Sequence, residues 1–385
     1  MKFLEGKLDD IAAGREAPLS RRDLTDILES GPGIDGPLFR AASAVLGRNS
    51  GPGVYLRGII EISNACQKNC FYCRLRRDNP GVARYRMNSR EVMEALTHGW
   101  NAGLRSFLLQ SGERLGGDFI EEVCAILAEC RSRWGDSVRM VLSLGELPAD
   151  VLDRLREAGG SRYLLRIETS DRGLYDRVHP CDGIHDWSAR DACLRHLRAT
   201  GWQTGSGVLI GFPWQTASVL AGDLEYLVDL DIDMCGMGPW IEHKDTPLDK
   251  VREQAPPRAR RVSLTLRMIA LLRILMPDIN ISATTALQTL DEEGLEKGLE
   301  AGGNVFMPNL TPPGYRADYN LYEGKTAVAD DLESMITEGR KRCESVRRLL
   351  VLGDPGDPLH YGRRLATEGW MSGGAAPGDA IGGRG

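Results

Sequence analysis

From Gly58 onward the chain alternates short apolar runs with amphipathic stretches. The runs fall at 58–63, 106–112, 140–145, 163–169, 205–212, 234–240, 279–286 and 305–310. Between them, 89–102, 118–134, 148–158, 188–200, 216–229, 263–275 and 292–301 space their apolar residues at helical intervals. Strands alternating with helices of ~10–15 residues predict βαβ units and parallel pairing. Eight such units in roughly 250 residues fit a closed barrel better than an open doubly wound sheet. Upstream, Leu4, Leu8 and Ile11, then Leu24 and Leu28, recur at helical spacing, and Ser20-Arg-Arg-Asp reads as a helix start. Downstream come Tyr315, Tyr319 and Tyr322, a helix over about 330–352, and a tail with six glycines in its last fifteen residues. The expected fold class is α/β, a (β/α)8 TIM barrel with an N-terminal helical extension and a C-terminal helix. The expected division is a helical extension at 1–50, the barrel at 51–325, a helical segment at 326–370 and a disordered tail at 371–385.

Composition narrows the function. The 385 residues carry 48 Lys plus Arg against 54 Asp plus Glu, a net charge of −6, which argues against a nucleic-acid-binding role. The longest apolar runs, such as 123–128 and 268–272, are far shorter than the ~18 residues of a membrane span. Residues 1–7 are charged almost at once and offer no apolar signal core, so a cytoplasmic location is expected. Nine cysteines, an odd number, then favour metal or catalytic use over a disulfide framework.

Three of the nine, Cys66, Cys70 and Cys73, form C-x3-C-x2-C directly after the first expected strand; Cys124, Cys130, Cys181, Cys193, Cys235 and Cys343 are scattered. A loop there lies at the C-terminal mouth, where barrel active sites are built. Three thiolates can hold three irons of a cubane cluster and leave the fourth iron open. An open position suits catalysis. Two other readings stand beside it. One is a Cys3His zinc site, although the nearest histidine, His98, is 25 residues past Cys73. The other is three buried, unliganded cysteines.

The spacing, the aromatics in Cys70-Phe-Tyr-Cys73 and the preceding strand together resemble the signature of the radical S-adenosylmethionine (SAM) superfamily. Further motifs from about Val54 to Lys325 are similar to the HydE-type maturases of FeFe-hydrogenase, in the biotin synthase-like group. They include Arg84-Tyr-Arg-Met87, Leu142-Ser-Leu-Gly-Glu146, Arg162-Tyr-Leu-Leu-Arg166-Ile-Glu168-Thr169, Ala283-Thr-Thr-Ala286 and Met307-Pro-Asn309. The resemblance implies one 4Fe-4S cluster held by Cys66, Cys70 and Cys73, with SAM chelated to the open iron and cleaved to a 5′-deoxyadenosyl radical. It implies that the turn Gln110-Ser111-Gly112-Glu113 meets the SAM amine, that 205–211, with Gly207 and Ile210, lines the adenine, and that Met234 and Met237 touch it. Core packing is the other reading of both methionines.

Arg166 and Glu168 sit at i and i+2, so on a strand they share a face. A charge pair buried for structure alone is one reading. The resemblance assigns both to catalysis: Glu168 to the SAM ribose or amine region and Arg166 to an anionic group of the substrate, with Arg190 on the SAM carboxylate. It also implies that Ser143, Thr284, Thr285, Met307, Asn309 and Tyr319 line the substrate cavity, plain barrel core being the alternative.

A small-molecule or organometallic substrate, a reductant such as flavodoxin or ferredoxin, and other hydrogenase maturases are the implied partners, with no nucleic acid and no membrane. The basic run Arg74-x-Arg76-Arg77 suits an acidic reductant, or is simply a solvated loop. His243 reads as structural. Two departures stand out: many HydE members bind an accessory cluster near the C-terminus, whereas only Cys343 lies beyond Lys325 here, and Arg74 replaces a common glycine. A methylornithine synthase-like or biotin synthase-like reaction, and a non-enzymatic Fe-S or zinc scaffold, are the competing functions.

Overall fold

The computed structural model describes residues 2–114, 116–324 and 331–367. Twelve strands follow in chain order: β1 Gly53–Leu56, β2 Gly58–Ser63, β3 Ser106–Ser111, β4 Arg139–Ser143, β5 Gly160–Leu164, β6 Gln203–Ser206, β7 Leu209–Ile210, β8 Met234–Cys235, β9 Gly238–Pro239, β10 Asn280–Ile281, β11 Val305–Phe306 and β12 Leu349–Val351. Seven of them make one all-parallel sheet in the order β10-β8-β6-β5-β4-β3-β2. Single parallel bridges, Ser282 to Val305 and Ile59 to Asn309, bring the chain around β11 between the two ends of that sheet. The eight expected runs thus take their places around a barrel. Every residue of β2 is buried, as a parallel strand covered on both faces requires.

Side chains alternate between two apolar layers. Ile59, Leu108, Val141 and Met234, with Leu164 and Met307, meet across the interior. Ile60, Phe107, Leu109, Leu142 and Tyr163 face outward into the core shared with the surrounding helices. The helices Lys2–Ala12, Arg21–Glu29 and Asp35–Asn49 add Leu4, Leu8, Ile27 and Leu38 to that same core. Ser20 and Asp23 form the capping box that starts the second of them. Arg267 on the helix Arg258–Leu275 fastens the extension, reaching Asp35 at 2.7 Å and the carbonyl of Ser30 at 2.6 Å.

Four expectations need correction. The stretch 330–352 is not one helix: Leu332–Ser345 is helical, and Leu349–Val351 is β12, paired with β1. A turn at Arg347, with φ near +57°, breaks the helix, and a separate helix, Leu359–Thr367, follows. Second, β1 itself is an additional strand. Third, Thr284 and Thr285 are not on the seventh strand; β10 ends at Ile281, and Thr284 opens the helix Thr285–Leu290. Finally, β5 stops at Leu164, so Arg166 and Glu168 lie beyond it, where the chain pairs only through a bridge from Glu168 to Val208. The tail at 371–385 lies outside the described residues.

The N-terminal mouth of the barrel is plugged by the strap 353–358. Arg162 on β5 is fully buried there and binds Asp357 at 2.8 Å and the carbonyls of Pro355 and Gly356. The opposite mouth carries the chemistry.

Candidate active site

The cysteine loop leaves β2 at the C-terminal mouth and is pinned before it reaches Cys66. The Asn64 amide donates to the carbonyls of Ala83 and Asp318, while Arg84 donates to the carbonyls of Asn64 and Leu75. Inside the loop, the Asn69 backbone N–H donates to His185 Nε2 at 2.9 Å, and the Tyr72 hydroxyl meets His179 Nε2 at 3.0 Å. Lys68, between the first two cysteines, points down rather than out. It is buried and pairs with Glu113 at 3.4 Å and Glu146 at 3.2 Å. Glu146 also takes Arg190 at 2.6 Å, and Glu113 accepts from Gln67 and from the Glu146 backbone. Two cations and two carboxylates therefore tie the cysteine loop, the turn after β3, the turn after β4 and the helix Trp187–Ala199 together. An unpaired charge at such depth costs several kcal/mol.

Below the loop lies a cavity of about 350 Å³. Its wall includes Cys66, Cys70 and Cys73, the turn Gln110-Ser111-Gly112-Glu113, and Ser143, Arg166, Glu168 and Arg190. Thr284, Thr285, Met307, Asn309 and Tyr319 complete it, with Glu61 and Tyr322. The structure thus brings most of the expected site residues to one surface. Gly207, Ile210, Met234 and Met237 are outside this lining. Met234 belongs to the interior apolar layer, Met237 and Ile210 to the outer core, and Gly207 packs so closely on the next strand that a Cβ would stand 2.2 Å from the carbonyl oxygen of Gly236.

Several polar groups in the wall are held but not satisfied. Arg166 donates to the carbonyl of Val208 and lies 3.1 Å from Glu168, yet its Nε has no hydrogen-bond partner. Thr284 Oγ1 likewise has no hydrogen-bond partner, and Glu168 Oε2 faces the Arg166 guanidinium as an ion pair without an aligned hydrogen bond. Buried polar atoms in this state call for a ligand. Burial pushes the Cys70 thiol up to about 12 and Cys66 upward as well, against the pull of Arg190 on Cys70 and Arg84 on Cys66. Thiols so placed become thiolates when a metal takes the charge. Among the described residues no three His, Cys, Asp or Glu side chains are grouped to hold a single metal ion. Three cysteines that share one wall suit a cubane, in which each sulfur binds a different iron. The residues present therefore fit a 4Fe-4S cluster, and the unsatisfied atoms beyond it fit a polar ligand such as SAM.

Sequence reasoning missed Lys68, Glu146, Glu61, His179 and His185. Glu61 is buried on β2 and its carboxylate accepts from Asn309 and Thr311 at 3.3 Å each. A carboxylate inside a strand that is otherwise Gly-Ile-Ile-Ile-Ser was the available signal. His243 forms a local turn with Asp245 and Thr246 and is structural.

Gly112 sets the distance between the turn after β3 and the cysteine loop, since a Cβ there would lie 2.4 Å from the Ala65 oxygen and 2.8 Å from Cys66 Cβ. Gly112→Ala is expected to displace the loop backbone and speed iron loss from the loaded protein to a chelator about tenfold, the lower range for disturbed ligand supports. Unchanged release kinetics would mean that the loop tolerates the added methyl group.

The barrel and the three-thiol mouth define a class. The radical SAM superfamily model matches residues 60–227, and the chain is a radical SAM enzyme whose cofactors are a 4Fe-4S cluster and SAM. It is 40% identical to the [FeFe] hydrogenase maturase subunit HydE of Thermotoga maritima over 82% of this chain and 89% of that one. It is also 27% identical to a biotin synthase of Magnetococcus marinus, over 73% and 81% of the two chains. The solved structure of a methylornithine synthase shares the fold, with a TM-score of 0.73 at 23% identity over 90% of this chain and 98% of that one. The chain belongs to the HydE family. Among the described residues no helix is long and apolar enough to cross a membrane.

Proposed function

We propose that this protein is a HydE-type maturase of FeFe-hydrogenase, acting on a small cysteine-ligated iron carbonyl cyanide on the way to the two-iron part of the H-cluster. The observation that carries the reading is the 40% identity to a HydE maturase over 82% of the chain. When bound and reduced, the cluster supplies the electron that cleaves SAM to methionine and a 5′-deoxyadenosyl radical. Cys66, Cys70 and Cys73 hold that cluster. Glu168 accepts hydrogen bonds from SAM, and Arg190, neutralised in part by Glu146, faces the SAM carboxylate. The turn 110–113 receives the SAM amine. Deeper in the cavity, Arg166 anchors a carboxylate of the substrate while Ser143, Thr284, Thr285, Asn309 and Tyr319 shape its polar wall. Met307 supplies an apolar one. The plugged far mouth closes one route by which water could reach a radical that any stray hydrogen donor would quench.

A second reading is an amino-acid substrate like that of a methylornithine synthase, with which the presence of both Glu61 and Arg166 on the wall is compatible. Those two groups complement an ammonium and a carboxylate. A cysteine-bound iron complex carries the same two groups, so this observation fits both substrates.

The reductant, a flavodoxin or ferredoxin, docks over the cysteine loop, where Arg77 is exposed and where Arg177, also exposed, stacks on the half-exposed Trp214. We place the protein in the cytoplasm with one cluster per chain. Cys343, the last cysteine of the sequence, is buried in an apolar cluster with Val54 and Leu295. Two assays test the function. Anaerobic reconstitution with iron, sulfide, SAM and dithionite is expected to give 5′-deoxyadenosine. Adding the loaded protein to a hydrogenase-maturation system lacking HydE is expected to restore hydrogen evolution. SAM cleavage without restoration would favour the amino-acid reading.

A further inference from the structure

Glu168 is the one non-glycine residue of the cavity wall with a left-handed backbone, at φ near +68°. Side chains other than glycine rarely adopt it, and such conformations persist only where surrounding contacts over-determine them. On one side the contacts are plain: the Glu168 amide donates to the Gly207 carbonyl at 3.1 Å, and the Leu209 amide donates to the Glu168 carbonyl at 3.0 Å. On the other side the two residues that leave Glu168 converge on a single atom. Asp223 Oδ1 accepts from Thr169 Oγ1 at 3.2 Å, from the Ser170 amide at 2.6 Å and from Ser170 Oγ at 2.7 Å. Trp187 Nε1 adds a bond to the Thr169 carbonyl.

Asp223 does not line the cavity. It sits on the helix Ala217–Asp229, in the outer layer, with no exposure to solvent. Its second oxygen, Oδ2, has no hydrogen-bond partner. Burial pushes its carboxyl up to about 7 in spite of the three donors. A carboxylate with one oxygen saturated and the other bare is a poor choice for stability alone. Its geometry makes sense as a clamp on the segment 169–170.

We infer that Asp223 is a positioning residue that aims the Glu168 carboxylate at SAM by fixing the two residues after its left-handed turn. The inference rests on the assignment of Glu168 to SAM above. Glu168 touches the ligand and Asp223 acts only through it, so their effects on binding must be coupled.

The test uses cluster-loaded protein and the affinity for S-adenosylhomocysteine, measured by calorimetry, so that no turnover is needed. Glu168→Gln is expected to weaken binding about tenfold, the cost of one lost hydrogen-bond partner in a buried site. Asp223→Leu is expected to do the same with the cluster content unchanged. Asp223→Asn, which keeps the acceptor oxygen, should stay within about twofold of the parent on the same ground. The double variant Glu168→Gln with Asp223→Leu should bind no more weakly than the worse single variant. If Asp223→Leu folds poorly, Thr169→Val with Ser170→Ala removes two of the donors and carries the same expectation. Unaltered affinity in Glu168→Gln would overturn the assignment of Glu168. Weakening in Glu168→Gln but not in Asp223→Leu, or additive losses in the double variant, would overturn the role of Asp223.

Discussion

Cys70→Ala is expected to remove SAM cleavage entirely while leaving a folded protein. The site lies on a loop held by contacts that do not involve the cysteine sulfurs: Asn64 and Arg84 before it, Lys68 within it, His185 and His179 against it. Loss of one thiol therefore costs little stability in the metal-free chain. Its effect on chemistry is of another order, because three thiolates are the least that hold a cubane with one open iron. The expected fall in 5′-deoxyadenosine formation is at least ~10³-fold, equivalent to more than ~4 kcal/mol of barrier. Iron and sulfide per chain should drop together, and the broad visible absorption of the reconstituted protein should bleach. Cys124→Ala, a change on the helix Gly117–Trp134 away from the cavity, serves as the control and should retain both colour and turnover. A Cys70→Ala protein that still cleaves SAM at a tenth of the parent rate would refute the cluster assignment.

What the sequence revealed divides along a physical line. The cysteine motif and the strands that precede the cavity were legible because their signal is local. Gly58–Ser63 and Ser106–Ser111 are nearly continuous apolar runs, the mark of strands covered on both faces. The later strands, β6 to β11, run only two to four residues, and the run at 279–286 owed part of its strand-like look to Thr284 and Thr285, which instead begin a helix. β-branched residues serve a strand or a helix start equally well. β12 was hidden because its pairing with β1 joins residues almost 300 positions apart. The same reason concealed Lys68, Glu146 and Arg190 as a unit. Each was visible as a charge, but only the folded chain shows that 68, 113, 146 and 190 share one buried network.

Glu168 shows the limit of pattern reasoning in a sharper form. Spacing at i and i+2 placed it beside Arg166, and the two do touch, at 3.1 Å. The strand that justified that expectation has already ended at Leu164. The shared orientation comes instead from a bridge to Val208 and from hydrogen bonds to Asp223, both products of tertiary structure. Helix and strand periodicity places a residue on a face only as far as the element runs.

Asp357→Ala is expected to produce the largest loss of stability of any single substitution considered, and to leave SAM cleavage untouched at temperatures where the protein remains folded. At the plugged mouth, Arg162 is entirely buried, and its charge is met by Asp357 at 2.8 Å. Arg139 and Gln203 bind the same carboxylate at 2.9 and 2.6 Å. Arg57 is buried nearby, 4% exposed, with Nε unpartnered, and faces Arg162 as a like charge. Removing Asp357 leaves Arg57 and Arg162, two buried guanidinium groups of like charge, without a carboxylate that acts on both. Breaking a buried ion pair costs ~3–5 kcal/mol; the Asp357 side chain is itself 36% exposed, which places the expectation near about 3 kcal/mol. Burial alone would raise the Asp357 carboxyl, but Arg162 and Gln203 outweigh it and hold it at about 2, below its ordinary 3.8. Its contribution is therefore complete above pH ~4 and is lost as the pH falls towards 2. Urea unfolding of parent and variant at pH 7 and again near pH 2.5 checks both points, with a gap that narrows in acid. Equal stabilities at pH 7 would show that the strap merely covers the barrel. A loss confined to stability would instead assign the two mouths of this barrel separate work: charge burial that holds the fold at one end, and radical chemistry at the other.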